Sequence, residues 1–386
     1  MTLHIDPAEL NSCVECGGCM SACPTFRVTG DEAFSPRGRI ALMREVQNNG
    51  APITPEVADA FSTCIQCRGC EPACSSGVPY GRLIEQTRAA LAADARITPR
   101  WLRAAFAPLS RPRLLRAGSV LIGLAQRLRL FPTDRGMPRR IPLRRSPLAA
   151  TGTDVLLFTG CVMDAWQRDV HEATMRVLAA AGVGVTPTLA TAPCCGALHS
   201  HAGMIDRAKQ MAQQVIESLP PDVPVLVNSA GCGAAMKDYG HLLGTDAARA
   251  FAARVFDVQE WLATRIDQLP SVAPLDARVA VQDPCHLRHV QKVHQATRTV
   301  LRPFVRELVE LDDDGMCCGS GGSYSITNRS LSQQVRARKV QTIDAVHADI
   351  VASANPGCSL NLAAAGVPAR HPMCIIDEAL STTTLR

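Results

Sequence analysis

The sequence predicts an α+β multidomain fold, an α-helical N-terminal domain followed by two repeated α/β domains. Three observations predict it. Eight of the seventeen cysteines stand in two runs of one spacing, Cys13, Cys16, Cys19, Cys23 and Cys64, Cys67, Cys70, Cys74. The segments between and after these runs carry apolar residues at helical period. From residue 151 onward a strand, helix, strand pattern with four cysteines of its own occurs twice, the signature of a repeated unit.

Both runs read C-x2-C-x2-C-x3-C, the ligand pattern of a two-cluster bacterial ferredoxin, in which the fourth cysteine of each run crosses to the other cluster. Three thiolates on one tight loop cap three irons of a 4Fe–4S cube, and the fourth iron takes its ligand from elsewhere. This predicts one cube on Cys13, Cys16, Cys19 and Cys74 and a second on Cys64, Cys67, Cys70 and Cys23, so the chain moves electrons. Structural zinc prefers separated C-x2-C pairs or mixed Cys/His sets, which suits these crowded loops less well. Disulfides fit worse still, because the cysteine count is odd and no apolar secretory segment opens the chain. The expected setting is reducing and cytoplasmic. Ser75 follows Cys74 where Pro24 follows Cys23; proline there fixes the chain direction but is not a ligand.

Around the loops, Pro36-Arg-Gly-Arg-Ile-Ala-Leu-Met-Arg-Glu-Val opens with a proline suited to a first helical turn. Val57 to Phe61 leads into the second loop, and Tyr80 to Ala93 has helical spacing with Leu83, Ile84, Thr87 and Leu91 on one side. Residues 1–95 thus read as an α-helical ferredoxin domain.

At 386 residues and 47% hydrophobic, the chain can build two or three domain cores. Aromatic residues are only 4%, which leaves few platforms for stacked bases and argues against a nucleic-acid partner. The net charge of +5 hides an asymmetry. Residues 96–150 hold thirteen arginines (Arg96, Arg100, Arg103, Arg111, Arg113, Arg116, Arg127, Arg129, Arg135, Arg139, Arg140, Arg144 and Arg145) against the single Asp134. Within this basic linker an apolar stretch, Ala117 to Ala125, is flanked by Arg116 and Arg127. It is far short of the ~20 residues that span a bilayer. The segment reads either as an amphipathic helix for a membrane surface or partner, or as a solvated linker with one helix packed on its own domain.

In the first repeat (151–275), Val155-Leu-Leu-Phe158 leads to Cys161, then Cys194-Cys195-Gly196, then Val223 to Val227 ending at Cys232. In the second (276–386), Val279-Ala-Val281 leads to Cys285, then Cys317-Cys318-Gly319, then Ile350-Val-Ala-Ser ending at Cys358. Helical segments, Asp169 to Ala181, Met204 to Ser218 and Leu331 to Ala345, lie between. Alternating strands and helices argue for parallel βαβ units whose strand ends deliver cysteines to one rim. Each copy gathers four thiols: Cys161, Cys194, Cys195, Cys232, and Cys285, Cys317, Cys318, Cys358. A metal cluster or reactive thiol site is one occupant; burial as small hydrophobes is the other, since free cysteine is among the most buried residue types. Cys374 lies outside every set and reads as a buried structural thiol. His199, His201 and His286, next to the cysteines, read as iron ligands or proton relays, or as structural hydrogen-bonding groups. No G-x-G-x-x-G opens a βαβ unit, so no nucleotide site is visible.

These residues resemble the iron–sulfur subunit of bacterial glycolate oxidase (glycolate dehydrogenase), within the wider group of cysteine-rich CCG-domain subunits. That group includes heterodisulfide reductases, lactate-utilisation complexes and anaerobic glycerol-3-phosphate dehydrogenase. The likeness covers nearly the whole chain. It rests on both cysteine runs, Gly38-Arg-Ile, Cys194-Cys-Gly-Ala, Ser229-Ala-Gly-Cys-Gly-Ala, Pro284-Cys-His-Leu-Arg-His and Cys317-Cys-Gly-Ser-Gly-Gly-Ser-Tyr, with Asp238-Tyr-Gly and Gln291-Lys pointing to the glycolate member. The full CCG pattern ends in C-x2-C, whereas Ala235 and Asn361 stand at the final positions here. Each copy therefore lacks the fifth cysteine with which heterodisulfide reductase subunits hold a paired noncubane cluster, and at most one further cube per copy is expected. The resemblance implies an enzyme complex in which a separate flavin subunit oxidises glycolate to glyoxylate. This chain would carry the electrons toward quinone from the inner face of the plasma membrane, as a peripheral subunit. Lactate or glycerol-3-phosphate equivalents, and a thiol–disulfide reductase, are the rival readings.

Overall fold

The computed structural model describes residues 3–94, 97–130, 137–138, 140–188 and 191–384. Arg96, Asp134, Arg135 and Arg139 of the basic linker lie outside the described residues. Each apolar run of the repeat becomes a strand. β1 (Val155–Phe158), β2 (Val185–Pro187), β3 (Val225–Val227) and β4 (Val255–Asp257) form one sheet in the order β2-β1-β3-β4. β5 (Leu275–Val281), β6 (Val305–Glu310), β7 (Ile350–Ala352) and β8 (Ala369–Arg370) form a second in the order β6-β5-β7-β8. Every described pairing is parallel, with Leu156 beside Thr186 on one side and Val225 on the other. Parallel neighbours need crossover connections, supplied by helices such as Arg168–Ala180, Ile205–Ser218 and Arg329–Ala345.

The shared order has a consequence for chemistry. The chain leaves the central strand to one side first (β2, β6) and then returns to the other (β3, β7), which opens a crevice beyond the carboxyl ends of the strands. Cys161 follows β1, Cys194 and Cys195 follow β2, and Cys232 follows β3. Cys285, the pair Cys317 and Cys318, and Cys358 follow β5, β6 and β7 in the same way.

The chain forms two compact units. One, the sheet unit, comprises 108–195, 209–315 and 340–386 and contains both sheets. Their apolar faces share one core, in which Leu157, Val177 and Leu226 of the first copy join Val279, Val300 and Ile376 of the second. Each such side chain contributes about 1.5–3 kcal/mol when fully buried. The last helix, Pro372–Thr384, packs back on Arg168–Ala180, where Arg176 and Asp377 form a two-pronged ion pair at 2.8 Å on each prong.

The other, the cluster-loop unit, comprises 1–107, 196–208 and 316–339. Its helices Pro7–Asn11, Pro24–Thr29, Pro36–Asn48 and Pro55–Ser62 each begin with proline, where a missing N–H costs nothing. Ser35 caps the third, accepting from the Gly38 N–H at 2.9 Å. Helix Tyr80–Ala93 follows, and Leu10, Met43, Phe61, Leu83 and Leu91 make the core. Gly38 lets the Glu32–Phe34 turn lie against its helix; a Cβ there would collide with the Glu32 carbonyl.

The apolar stretch of the basic linker is part of helix Pro112–Arg127. It packs on its own unit through small and polar residues: Ser119, Gly123 and Gln126 are buried, Trp166 Nε1 donates to Ser119 Oγ at 3.0 Å and Gln126 bridges Pro138 and Ile141. Leu114, Leu121, Leu124 and Leu128 are 52, 67, 43 and 69% exposed. Among the described residues no helix is long and apolar enough to cross a membrane.

Candidate iron–sulfur sites

In both cysteine runs the residues flanking the second cysteine have left-handed backbone: Glu15 (φ 60) and Gly17 (φ 83) around Cys16, and Gln66 (φ 59) and Arg68 (φ 57) around Cys67. Left-handed φ is uncommon outside glycine. Where such residues alternate with right-handed ones, successive N–H groups can turn to one side and form a concavity for an anion. Cys13, Cys16, Cys19 and Cys74 line one cavity, together with Cys70, Ile40 and Tyr80. Burial pushes the Cys19 thiol up, and the neighbouring Cys13 and Cys74 add to it, while the Arg37 N–H opposes. The Cys70 thiol is held well above its usual range by burial and then by Cys67, Cys64 and Cys23. Cys74 therefore stands with the first run and Cys23 with the second.

Arg39, three residues after the helix-opening Pro36, is 1% exposed. Its Nε donates to the Ala60 carbonyl at 2.6 Å, its Nη2 to Thr25 and Thr63 hydroxyls at 3.3 Å, and its Nη1 lies 4.0 Å from Cys23 Sγ. Among the described residues no carboxylate pairs with it. Burial alone would lower its affinity for the proton, but Tyr80, Cys64 and Cys23 outweigh that and keep it charged. Tyr80 Oη reaches Cys64 Sγ at 3.6 Å, and Thr25 Oγ1 is 3.2 Å from Cys23 Sγ. A buried cation without a carboxylate needs another anion, and the groups within reach are cysteine sulfurs of both runs.

The segments 196–208 and 316–339 pack on these loops. Gln66 Nε2 donates to the His201 carbonyl at 2.8 Å, and Asn328 Nδ2 to that of Ser62 at 3.4 Å. His199 is buried, edge-on to Phe106 at 5.4 Å. Cys67 takes a hydrogen bond from Cys317, the chief reason its thiol is lowered despite burial.

In the sheet unit, Cys161 Sγ lies 3.7 Å from Cys194 Sγ. The Cys161 thiol is held well above its usual range by that hydrogen bond first and by burial second. Cys195 is raised by its bonds to Cys194 and Cys232, and Cys232 is lowered by the bond it accepts from Cys195. The structure thus brings Cys161, Cys194, Cys195 and Cys232 together. Buried Tyr239 donates to the Cys195 carbonyl at 2.8 Å and stacks on Phe251. Of the second set, Cys285 and Cys358 lie in the sheet unit, and Cys317 and Cys318 in the cluster-loop unit. Asn355 Nδ2 donates to Cys358 Sγ at 3.5 Å, and its Oδ1 accepts from the Gly231 N–H at 3.2 Å, so the loops bearing Cys232 and Cys358 adjoin. His286 opens the π-helical turn His286–Val290 after Cys285. Cys374 is half-buried rather than buried, its thiol pushed up to about 12, chiefly by burial.

The residues fit iron–sulfur clusters. Several buried thiols in one nest cannot all ionise without a positive centre among them. The buried Arg39 beside Cys23 and Cys64 supplies the positive complement an anionic cluster needs. Arg39, Thr25 and Tyr80 carried no expectation from the sequence. The available signal was an arginine on the same helical stripe as Met43 and Val46.

A ferredoxin-like pair of cysteine loops joined to two parallel-sheet repeats with cysteines at their strand ends defines an iron–sulfur oxidoreductase subunit. The family model for a 4Fe-4S dicluster domain matches residues 9–78, and that for a cysteine-rich domain matches 155–237 and 279–363. The chain is 33% identical to the probable glycolate oxidase iron–sulfur subunit of Bacillus subtilis, over 93% of this chain and 89% of that one. It is 32% identical to the glycolate oxidase iron–sulfur subunit of Escherichia coli, over 96% and 94%. It is 30% identical to one subunit of the dihydromethanophenazine:CoB–CoM heterodisulfide reductase of Methanosarcina acetivorans, over 92% and 88%. The chain belongs to the family of glycolate oxidase iron–sulfur subunits, within the wider cysteine-rich group.

Proposed function

We propose that this chain is the electron-transfer subunit of a flavin-dependent glycolate dehydrogenase complex that passes electrons to membrane quinone. The observation that carries the reading is its similarity, over more than nine-tenths of its length, to glycolate oxidase iron–sulfur subunits of two bacteria. A flavin subunit oxidises glycolate to glyoxylate, and this chain, cytoplasmic and peripheral to the membrane, takes the electrons. Residues 1–95 form the dicluster domain, 96–150 the basic linker, and 151–275 and 276–386 the two cysteine-rich domains.

Cys13, Cys16, Cys19 and Cys74 hold one 4Fe–4S cube, and Cys64, Cys67, Cys70 and Cys23 the other. Cys161, Cys194, Cys195 and Cys232, and Cys285, Cys317, Cys318 and Cys358, each hold up to one more. Bound clusters supply one-electron carriers. The chain's own contribution is to hold the thiols, exclude water and set the field: Arg39 places a fixed positive charge beside Cys23 and Cys64, and Cys317 against Cys67 gives the second cube a contact with the second cysteine-rich set. Ala235 and Asn361, in place of further cysteines, count against a disulfide-reducing cluster.

The test is anaerobic copurification of the tagged chain from its native host. The reading expects a flavin-containing partner whose flavin is bleached by glycolate faster than by lactate or glycerol 3-phosphate. A complex bleached only by one of the other two would move the assignment to that member of the group.

A further inference from the structure

Helix Pro112–Arg127 has its amphipathicity inverted for a globular surface. Its buried positions are Ser119, Gly123 and Gln126, whereas Leu114, Leu121 and Leu124, with Leu128 at its cap, are 43 to 69% exposed. At 3.6 residues per turn the four leucines fall within an arc of about 80°, opposite the buried side. A helix packed on a globular body turns such a stripe inward; here the stripe is left for an occupant.

The rim and ends of the stripe are cationic. Arg111, Arg113, Arg116, Arg127 and Arg129 are exposed, and no Asp or Glu occurs between Asp94 and Asp134. Arg127 Nη1 donates to the Gly123 and Ile141 carbonyls at 2.7 and 3.1 Å, which holds the side chain at the helix end with its charge intact. Arg129 takes the left-handed backbone (φ 58) that closes the helix, and the Leu130 N–H returns to the Ala125 carbonyl at 2.8 Å. Glycine is the usual residue at that place; arginine there adds a positive charge, followed by Leu130 at 76% exposed. A second copy of this chain would set five arginines against five, which like-charge repulsion opposes. Phosphate head groups above acyl chains match both features, a leucine face and the cations around it.

We propose that helix Pro112–Arg127 lies in the plane of a bilayer containing anionic phospholipid, with Leu114, Leu121, Leu124 and Leu128 among the acyl chains and the arginines at the phosphates. The inference names the contact that the peripheral-subunit reading above requires, and it rests on that reading. Ser119 and Gln126 then have a defined role. They fasten the helix to its own unit through Trp166 and Ile141, so that the leucine face is presented outward instead of being folded away. Four leucines and a handful of arginines give an attachment that is reversible and sensitive to salt, unlike the insertion of a spanning helix.

The purified complex is floated with vesicles of phosphatidylcholine, with and without phosphatidylglycerol. Wild type should float with the anionic vesicles only and be released at about 1 M salt, where the screening length falls to about 3 Å. Leu121→Asp with Leu124→Asp should abolish flotation, and Arg113→Gln with Arg116→Gln should weaken it about twentyfold. Both variants should keep their iron, their flavin partner and glycolate-driven reduction of an artificial dye. In Leu121→Trp the added tryptophan emission should shift to the blue with anionic vesicles and be quenched by brominated acyl chains. Wild type that floats with neither vesicle overturns the peripheral reading and this proposal together. Variants that float as well as wild type, or equal flotation of wild type on neutral vesicles, overturn the proposal alone. So does loss of the flavin partner, or a change from two copies to one, in the leucine variant, since either assigns the face to a protein. A complex that floats as expected but reduces no dye with glycolate supports the membrane contact and overturns the glycolate reading instead.

Discussion

Replacing Arg39 with Gln removes the buried positive charge while keeping a polar side chain for the Ala60, Thr25 and Thr63 partners, and it should lower the reduction potential of the second cube. Arg39 Nη1 stands 4.0 Å from Cys23 Sγ. Two unit charges at that distance interact by about 4 kcal/mol at an effective dielectric of 20. An added electron spreads over the whole cube, so roughly twice the distance applies and about 2 kcal/mol remains. At 59 mV for each 1.4 kcal/mol of a one-electron couple, this amounts to roughly 80 mV. The proposed ligands of the first cube, Cys13, Cys16, Cys19 and Cys74, are not among the groups that act most strongly on Arg39, so its potential should move less, and Arg39→Lys should recover most of the difference. The assay is a redox titration followed by electron paramagnetic resonance, with iron and sulfide measured on the same samples. Equal shifts of both cubes, or no shift in a variant with full iron content, would refute the reasoning.

Cys23→Ala should damage the cube otherwise held by Cys64, Cys67 and Cys70 and leave the other with its full ligand set, as resolved by paramagnetic spectra; loss confined to the first-run cube contradicts the crossed assignment. Gly38→Ala should cost about 1–3 kcal/mol through its clash with the Glu32 carbonyl, read as a lower denaturation midpoint. His171 and His371 are buried and hydrogen-bonded to Asn228, and burial pulls them down to about 3 and about 4. A histidine whose folded pKa is depressed contributes stability above its unfolded value that is lost as pH falls toward the folded one. Each should therefore cost about 2 kcal/mol at pH 5 relative to pH 7. Asp257, its carboxyl pushed up to about 7 by burial, acts in the opposite sense over the same range. The informative comparison is His371→Gln, whose stability should fall less steeply than wild type between pH 7 and pH 5; an identical slope would show that His371 does not carry the effect.

The cysteine framework and the central strands were legible because their signals are local. Val155–Phe158 forms a strand as its sequence suggests, and helix Tyr80–Ala93 has the expected bounds. Strands β2, β4 and β8 were not, because two or three residues carry no periodicity and Val185–Pro187 contains a proline. Also invisible was the assignment of 196–208 and 316–339 to the cluster-loop unit, which brings Cys317 to Cys67; nothing local to either cysteine encodes that approach. Arg39 stood in the Gly38-Arg-Ile motif without a role for a related reason, since a charged residue on an apolar stripe makes sense only once the cysteines opposite it are known. In helix Pro112–Arg127 the composition showed an amphipathic segment, but only the packing of Ser119 and Gly123 revealed which side faces out.

The central claim is that electrons from glycolate reach the clusters of this chain. It is tested most directly by mixing the anaerobically purified complex with glycolate and freezing samples for electron paramagnetic resonance over successive turnovers. The account predicts reduced iron–sulfur signals that grow with glycolate and are weakened in Cys23→Ala. A flavin that is fully reduced by glycolate while the clusters of this chain stay oxidised, in a complex whose clusters dithionite can reduce, would contradict it.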